Sequence, residues 1–198
     1  MMSLLALTGC SQSVQQYAAQ QPALDLRQFF QGHLNAYGVM HDWKGQQGVR
    51  FSAQLCGQWQ GNSGDLYEIF QFSDGRIDKR HWRLTQLDSG LVTGSAADVV
   101  GGAHGELAGN TLYWQYVLRI PSQDGSSIDV TVKDWLYLVT PDQLINRSTL
   151  HKFGLTVGEL TLSIQRHPTQ TGTCAEFIER YRATTRTIPL PASLPNAD

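Results

Sequence analysis

The sequence predicts an all-β domain, an antiparallel meander of ten strands closed into a barrel and followed by a C-terminal α-helix. Short segments of alternating apolar and polar residues run along the middle of the chain, and this period of two is typical of strands with one buried face. Turn-forming residues separate the segments at hairpin spacing. Closure into a barrel would remove the exposed edges of such a sheet. A β-sandwich is the alternative architecture.

Turn signals bound the predicted strands, for example Gly61–Gly64, Ser73–Gly75 and the pair Gly109-Asn110. The strands are expected at residues 33–40, 48–59, 65–73, 79–87, 91–98, 103–108, 111–120, 127–139, 144–153 and 156–165.

Two helices are expected outside the strands. Asp25 is placed to cap a short turn that holds Phe29 and Phe30. Near the end of the chain, Thr173-x-x-Glu176 has the pattern of a capping box. The apolar stripe after it predicts a helix packed on the outside of the barrel, through Phe177, Ile178 and Tyr181.

The first ten residues, MMSLLALTGC, predict a lipoprotein signal. Leu7-Thr8-Gly9-Cys10 matches the lipobox that lipoprotein signal peptidase cuts before the cysteine, so we expect a signal peptide over residues 1–9 and lipid on Cys10. The usual positive start of the signal is missing, which suggests a start codon further upstream. Several acyl chains on Cys10 would give a stable membrane anchor. The alternative is a buried N-terminal cysteine in a soluble protein.

The remaining boundaries follow from composition. Residues 10–24 are Gln/Ala-rich and uncharged, and they predict a lipidated cysteine with a flexible tether. Residues 25–185 form the single barrel domain with its helix, and the prolines within residues 186–198 predict a disordered tail. Because Ser11 rather than Asp follows the cysteine, we expect an outer-membrane lipoprotein facing the periplasm, with the inner membrane as the alternative.

Charge and cysteine content limit the partners. The chain has 15 Lys and Arg against 17 Asp and Glu and no long basic run, so nucleic acid is not expected as a partner. Outside the signal, no apolar stretch has membrane-spanning length. Cys56 and Cys174 can form one disulfide in the periplasm, or they remain two buried thiols.

Hairpin turns set the register of the later strands and so identify an inner face. The turn at Gly109-Asn110 places Gly105 opposite Trp114, and the turn that ends at Gly125 places Tyr116 opposite Val132. The turn at Pro141-Asp142 is expected to place Leu136 opposite Arg147, Asp134 opposite Thr149, and Leu138 opposite Ile145.

Three polar residues then fall on an otherwise apolar inner face: Asp134, Arg147 and Thr149. One interpretation is a structural ion pair between Asp134 and Arg147 that fixes the register. The other is a ligand site, in which Arg147 binds an acidic headgroup, Asp134 holds the guanidinium, and Trp114 and Tyr116 line an apolar cavity.

Motifs for catalysis and metal binding are weak. The six histidines are scattered, and the sequence has no H-E-x-x-H, no G-x-S-x-G and no P-loop. We therefore expect no cofactor and no metal, and an enzyme is the less favoured class.

Five short segments carry a resemblance to a known family. They are Phe29-Phe30-x-Gly32, Ala97-Asp98-Val99-Val100-Gly101, Gly109-Asn110-x-x-x-Trp114-x-Tyr116, Asp134-Trp135-x-Tyr137-Leu138 and Asn146-Arg147-Ser148-Thr149-x-x-Lys152-Phe153-Gly154. Together they resemble the uncharacterised bacterial lipoproteins called domain of unknown function 3833 (DUF3833), over roughly residues 29–165. That family has no assigned activity, so no catalytic residues are implied. Its genes often lie near genes for fatty-acid modification, which implies a lipid-related role. The architecture also resembles lipocalin-like (calycin-type) barrels, although the lipocalin Gly-x-Trp signature is absent.

The resemblance and the residues lead to one expectation about function. We expect an outer-membrane-anchored lipoprotein whose barrel binds a small amphiphile such as a fatty acid, linked to membrane fatty-acid modification. One alternative is a non-catalytic structural or interaction module of the cell envelope with a filled barrel. A second is an enzyme acting on lipids.

Overall fold

A computed structural model describes residues 12–122, 124–167 and 173–187. Within these residues ten strands form one sheet: β1 Gly32–Asp42, β2 Gln47–Gln60, β3 Ser63–Phe72, β4 Ile77–Gln86, β5 Leu91–Ser95, β6 Val99–Ala108, β7 Thr111–Pro121, β8 Ser127–Thr140, β9 Gln143–Lys152 and β10 Leu155–Arg166. Two short α-helices flank them, α1 Leu26–Phe29 and α2 Cys174–Ala183. The predicted signal peptide over residues 1–9 and Cys10 lie outside the described residues.

The sheet closes into a barrel. Each strand pairs antiparallel with the next, and β1 pairs with β10. Strand β8 shows why the sequence folds this way, since Val130, Val132, Asp134, Leu136 and Leu138 are buried while the residues between them are more exposed. The predicted antiparallel lipocalin-like barrel with a C-terminal helix is confirmed, and the alternative β-sandwich is excluded.

Two of the three predicted hairpin registers are correct. Gly105 pairs with Trp114 across β6 and β7, and Tyr116 pairs with Val132 across β7 and β8. Trp114, Tyr116 and Asp134 therefore lie on the inner face, as the sequence predicted.

The third register, between β8 and β9, is wrong by one residue. Leu138 pairs with Leu144 instead of Ile145, and Asp134 pairs with Ser148 instead of Thr149. The turn itself has the predicted pairing, but a β-bulge between Leu138 and Thr140 then shifts the strand by one residue. Because neighbouring residues of a strand point to opposite faces, this shift moves every side chain of β9 to the other side.

One end of the barrel, formed by the β2–β3, β4–β5, β6–β7 and β8–β9 turns, is closed by α1. The Asp25 side chain accepts a hydrogen bond from the Arg27 N–H and caps the helix, as predicted. Leu26 and Phe29 are buried, and the Leu26 N–H donates to the Gln86 side chain at 2.8 Å. We call this the closed end.

A glycine of β2 makes the close approach of α1 possible. A Cβ atom on Gly57 would lie 1.8 Å from the carbonyl oxygen of Phe30, so no larger residue fits there without moving the helix. Phe30 itself is buried and packs edge-on against Phe29, with 5.1 Å between ring centroids.

The predicted flexible tether over residues 10–24 is wrong from Gln12 onward, because this segment packs on the closed end. Val14 is buried within a single 3₁₀ turn, Val14–Tyr17. The Leu24 N–H donates to the carbonyl oxygen of Gly109 at 2.8 Å, and the Tyr17 ring packs edge-on against Tyr137. The segment has few apolar residues, but its backbone forms a hydrogen bond to the barrel and its one aromatic ring packs against it.

Helix α2 packs on the outside of the barrel, as predicted. The Thr173 hydroxyl accepts a hydrogen bond from the Glu176 N–H, and Phe177 and Ile178 are buried. A disulfide joins Cys56 of β2 to Cys174, with 5.7 Å between their Cα atoms, so the disulfide alternative is the correct one. Tyr181 packs edge-on against Tyr67 of β3 at 5.2 Å.

The chain after α2 is ordered further than predicted. Arg186, at the start of the expected disordered tail, forms an ion pair with Asp78, and the Thr187 N–H donates to the carbonyl oxygen of Ile77 at 2.9 Å. Residues 188–198 lie outside the described part of the chain. Among the described residues, no helix is both long and apolar enough to cross a membrane.

Candidate ligand-binding site

A cavity of about 560 Å³ occupies the interior of the barrel. Leu26 and Phe30 form its floor at the closed end. Its lining continues to two exposed residues, Gln46 in the β1–β2 turn and Gln47 at the start of β2, so the cavity reaches the surface at the opposite end. We call this the open end. The volume lies within the range of small-molecule sites, about 300–1,000 Å³.

Aromatic rings form much of the wall. Trp82 packs edge-on against both Tyr116 and Trp114, with centroid distances of 5.3 and 5.8 Å. Gly105 faces Trp114, and a Cβ atom there would lie 2.6 Å from the indole ring. Gly105 on β6 thus makes room for the Trp114 ring of β7, and these two residues pair as the sequence predicted.

Six polar side chains form a belt across this apolar wall. The polar belt consists of Glu68, Arg80, Asp98, Asp134, Asn146 and Ser148. They lie at alternating positions of their strands or next to a turn, so each side chain faces the cavity.

Arg80 and Asp98 form the ion pair of the belt. The Arg80 Nε and Nη2 atoms both donate to Asp98 Oδ2, at 3.0 and 2.8 Å. The guanidinium also lies 5.8 Å from the centre of the Trp82 ring, within range of a cation–π contact. The Arg80 guanidinium therefore already has its partners within the protein.

Glu68 has no such partner. Its Oε2 atom is buried and has no hydrogen bond from any described residue. Burial raises the pKa of Glu68 to about 7, which the Arg80 guanidinium opposes and the carboxylates of Asp98 and Asp78 reinforce. Glu68 is therefore partly protonated at neutral pH.

Asp134 is similar. Its Oδ1 atom has no partner in the described part of the chain, and the residue is 6% exposed. Burial raises the pKa of Asp134 to about 6, against the opposing effects of the Ser148 hydroxyl and the Arg80 guanidinium. Next to it, Asn146 Nδ2 donates to Ser148 Oγ at 3.1 Å, and Asn146 Oδ1 is left without a partner among the described residues.

The structure separates the site residues that the sequence predicted. Trp114, Tyr116 and Asp134 line the cavity. Arg147 and Thr149 lie on the outer face because of the bulge in β8, and Arg147 is exposed and pairs across the sheet with Trp135. The predicted ion pair of Asp134 with Arg147, and the headgroup role of Arg147, are therefore wrong.

Sequence reasoning missed five site residues: Glu68, Arg80, Asp98, Asn146 and Ser148. The signal for Glu68 is the alternation Leu66-x-Glu68-x-Phe70-x-Phe72, in which an acid takes an apolar position. Arg80 interrupts the inner face of β4 in the same way, ahead of Trp82. Asn146 and Ser148 were assigned to the outer face by the same one-residue error that misplaced Arg147.

The open end carries exposed apolar side chains. Trp43 in the β1–β2 turn is 56% exposed, and Phe153 and Leu155 around the β9–β10 turn are 88% and 71% exposed. Lys44 lies over the Trp43 ring at 4.9 Å, and Lys152 over the Phe153 ring at 5.3 Å. Within residues 12–122, 124–167 and 173–187, no three His, Cys, Asp or Glu side chains are grouped so that they could hold a metal ion.

Comparison with known proteins identifies the family. The profile of the family described as "Protein of unknown function (DUF3833)" matches residues 4–166. The chain belongs to this family. No curated protein matches the sequence.

Solved structures resemble this DUF3833 protein to different degrees. The S-type phycobiliprotein lyase CPES from Guillardia theta has a TM-score of 0.55 at 9% identity, and the match covers 81% of this chain and all of the lyase, 100%. The redesigned β-barrel mFAP1, solved bound to DFHBI, has a TM-score of 0.39 at 16% identity, over 71% of this chain and 97% of that one. The match to the lyase shows that the barrel fold of this chain also occurs in a solved protein.

The segments that carry the DUF3833 resemblance also build the cavity. Asp98, Trp114 and Tyr116 come from two of them. Asp134 comes from a third, and Asn146 and Ser148 from a fourth.

Proposed function

We propose that this DUF3833 barrel binds a small amphiphile, with the apolar part of the ligand against the aromatic wall and its polar end at the polar belt. The observation that carries the proposal is the cavity of about 560 Å³, closed at one end, open at the other and crossed by buried polar groups. A few convergent polar groups in an apolar pocket are typical of a small-molecule site. The proposed class includes fatty acids, long-chain alcohols and long-chain amines.

We also propose that the barrel is a lipoprotein anchored in the outer membrane through Cys10. The lipobox before Cys10 supports this. Gln12 Nε2 donates to the Tyr137 hydroxyl at 2.9 Å, and Tyr137 lies near the closed end of β8. Two residues of chain span at most about 7 Å. A lipid on Cys10 would therefore hold the barrel by its closed end and leave the open end free for exchange of ligand with the periplasm.

The binding proposal is tested by filling the cavity. The neutral fluorescent probe N-phenyl-1-naphthylamine is titrated into the wild-type protein and into Leu162→Trp, which adds bulk at a cavity-lining position of β10. The matched control is Thr161→Trp on the exposed face of the same strand. We expect the wild type and the control to bind the probe equally, and Leu162→Trp to bind at least 10-fold more weakly, about the effect of losing one well-packed contact.

A wild-type protein that binds no apolar probe would overturn the proposal and leave a structural or interaction module as the better account. Equal binding by Leu162→Trp and the control would show that the probe binds elsewhere on the surface, and would also contradict the proposal.

A further inference from the structure

The buried polar atoms without partners differ between the cavity and the rest of the barrel. Three of them line the cavity, and all three are acceptor oxygens: Glu68 Oε2, Asp134 Oδ1 and Asn146 Oδ1. The unpartnered donors, Trp59 Nε1 and Arg166 Nε, belong to residues outside the cavity lining. A buried acceptor without a partner costs about 1–3 kcal/mol, so a hydrogen-bond donor of a bound ligand would be stabilised at these atoms.

The permanent cations of the cavity already have partners. Four arginines are among its described lining residues, and each is paired with a carboxylate. The pairs are Arg76 with Asp74, Arg80 with Asp98, Arg119 with Asp129, and Arg186 with Asp78. An anionic ligand would have to break one of these pairs to find a counter-ion.

The acids of the cavity are less completely partnered than its arginines. Asp78 and Asp98 are paired with arginines, and Asp42 accepts hydrogen bonds from the backbone N–H groups of Lys44 and Gln46. Glu68 and Asp134 form no ion pair with any described residue. Glu68 and Asp134 thus each offer one unpartnered carboxyl oxygen to the interior, where each of the four described arginines is already paired.

From this asymmetry we infer that the polar end of the ligand is a hydrogen-bond donor that carries positive charge, a protonated amine, held by Glu68 and Asp134. The inference rests on the proposed function and narrows its ligand class. An ammonium group has three N–H donors and no acceptor, which matches two or three acceptor oxygens facing one cavity. Charge-assisted hydrogen bonds of this kind are about twice as strong as neutral ones. A carboxylate would instead face two acids and would be repelled once they ionise.

Binding of an amine should also depend on pH. The raised pKa values of Glu68 and Asp134 mean that both acids lose part of their protons only between about pH 6 and 7. The charged and titratable groups facing them are Arg80, Asp98, Asp78 and Tyr116, and the two acids also face each other. Tyr116 stays neutral because burial raises its pKa well above the usual value. Affinity for an amine should therefore rise with pH through this interval and then level off.

The test displaces the neutral probe with three ligands of equal chain length: dodecylamine, dodecanol and dodecanoate. The variants are the double change Glu68→Gln with Asp134→Asn, which keeps the shape and removes both charges, and Glu159→Gln on the exposed face of β10 as a control. We expect dodecylamine to bind the wild type more tightly than dodecanoate. The double change should weaken dodecylamine by about 10- to 100-fold, leave dodecanol unchanged, and leave dodecanoate unchanged or tighter. The control should match the wild type.

Two results would overturn the inference while leaving the proposed function intact. One is dodecanoate binding as tightly as dodecylamine to the wild type. The other is a double variant that binds the neutral probe, and is therefore folded, with unchanged affinity for dodecylamine. Failure of the wild type to bind even the neutral probe would instead overturn the proposed function.

Discussion

The two ends of the barrel are formed by the same alternating strands, but one end is covered by buried side chains and the other is open. At the closed end, Leu26, Phe29 and Phe30 are buried. Hydrogen bonds from Leu24 to Gly109 and from Leu26 to Gln86 tie the N-terminal segment to the barrel. At the open end, Trp43 and Phe153 are exposed, and the arginines that line the cavity are paired with carboxylates. The difference indicates that one end is part of the folding core and the other is an exposed surface, which we propose is the entrance for a ligand.

Phenylalanine truncation at each end tests this comparison and should give the largest effect. Phe30→Ala removes a buried ring from the floor of the cavity and should lower the free energy of unfolding by about 3–5 kcal/mol. Phe153→Ala removes a ring that is 88% exposed and should change it by less than about 0.5 kcal/mol. Urea unfolding of both variants measures the difference. Similar losses at the two ends would show that the open-end turns are core as well.

The belt between the two ends should make stability depend on pH. The pKa of Glu68 is raised to about 7 in the folded protein from an ordinary value of 4.5, so folding favours its protonated form. Its contribution to stability is then greatest below about pH 4.5, falls as the pH rises to about 7, and is constant above that.

Glu68→Gln isolates this contribution. The free energy of unfolding of the variant should equal that of the wild type near pH 4.5. At pH 8 it should be about 1–3 kcal/mol higher, because the variant removes the cost of a buried charge. Glu159→Gln on the outer face should differ from the wild type by less than about 0.5 kcal/mol at both pH values. Thermal melts across the pH range provide the readout. A Glu68→Gln variant that is less stable at pH 8 would mean that the ionised acid has a stabilising partner in the fold.

The sequence predicted the features that depend on local pattern. Strand alternation, the hairpin turns at Gly109-Asn110 and before Ser127, and the Thr173 capping box all act over a few residues, and all are present. The disulfide of Cys56 was one of two open alternatives, because pairing across 118 residues depends on the tertiary fold.

The errors come from features that local pattern does not encode. The bulge after Leu138 leaves the turn unchanged and shifts the strand beyond it, so Arg147 lies on the outer face instead of the inner one. The segment around Val14 is ordered by contacts with distant turns and not by its own composition. Glu68 and Arg80 were detectable as polar residues in apolar positions, but they join Asp134 in one belt only because the barrel closes.

Native mass spectrometry of the protein purified from its own host, with lipid extraction of the same sample, tests the central claim most directly. The account predicts one small amphiphile per chain, released by organic solvent, with an amine at its polar end. The Leu162→Trp variant, whose cavity is filled, should carry little or none of it. A wild-type protein that shows only the mass of its own chain would contradict the account. An anionic lipid bound equally to the wild type and to the Leu162→Trp variant would also contradict it.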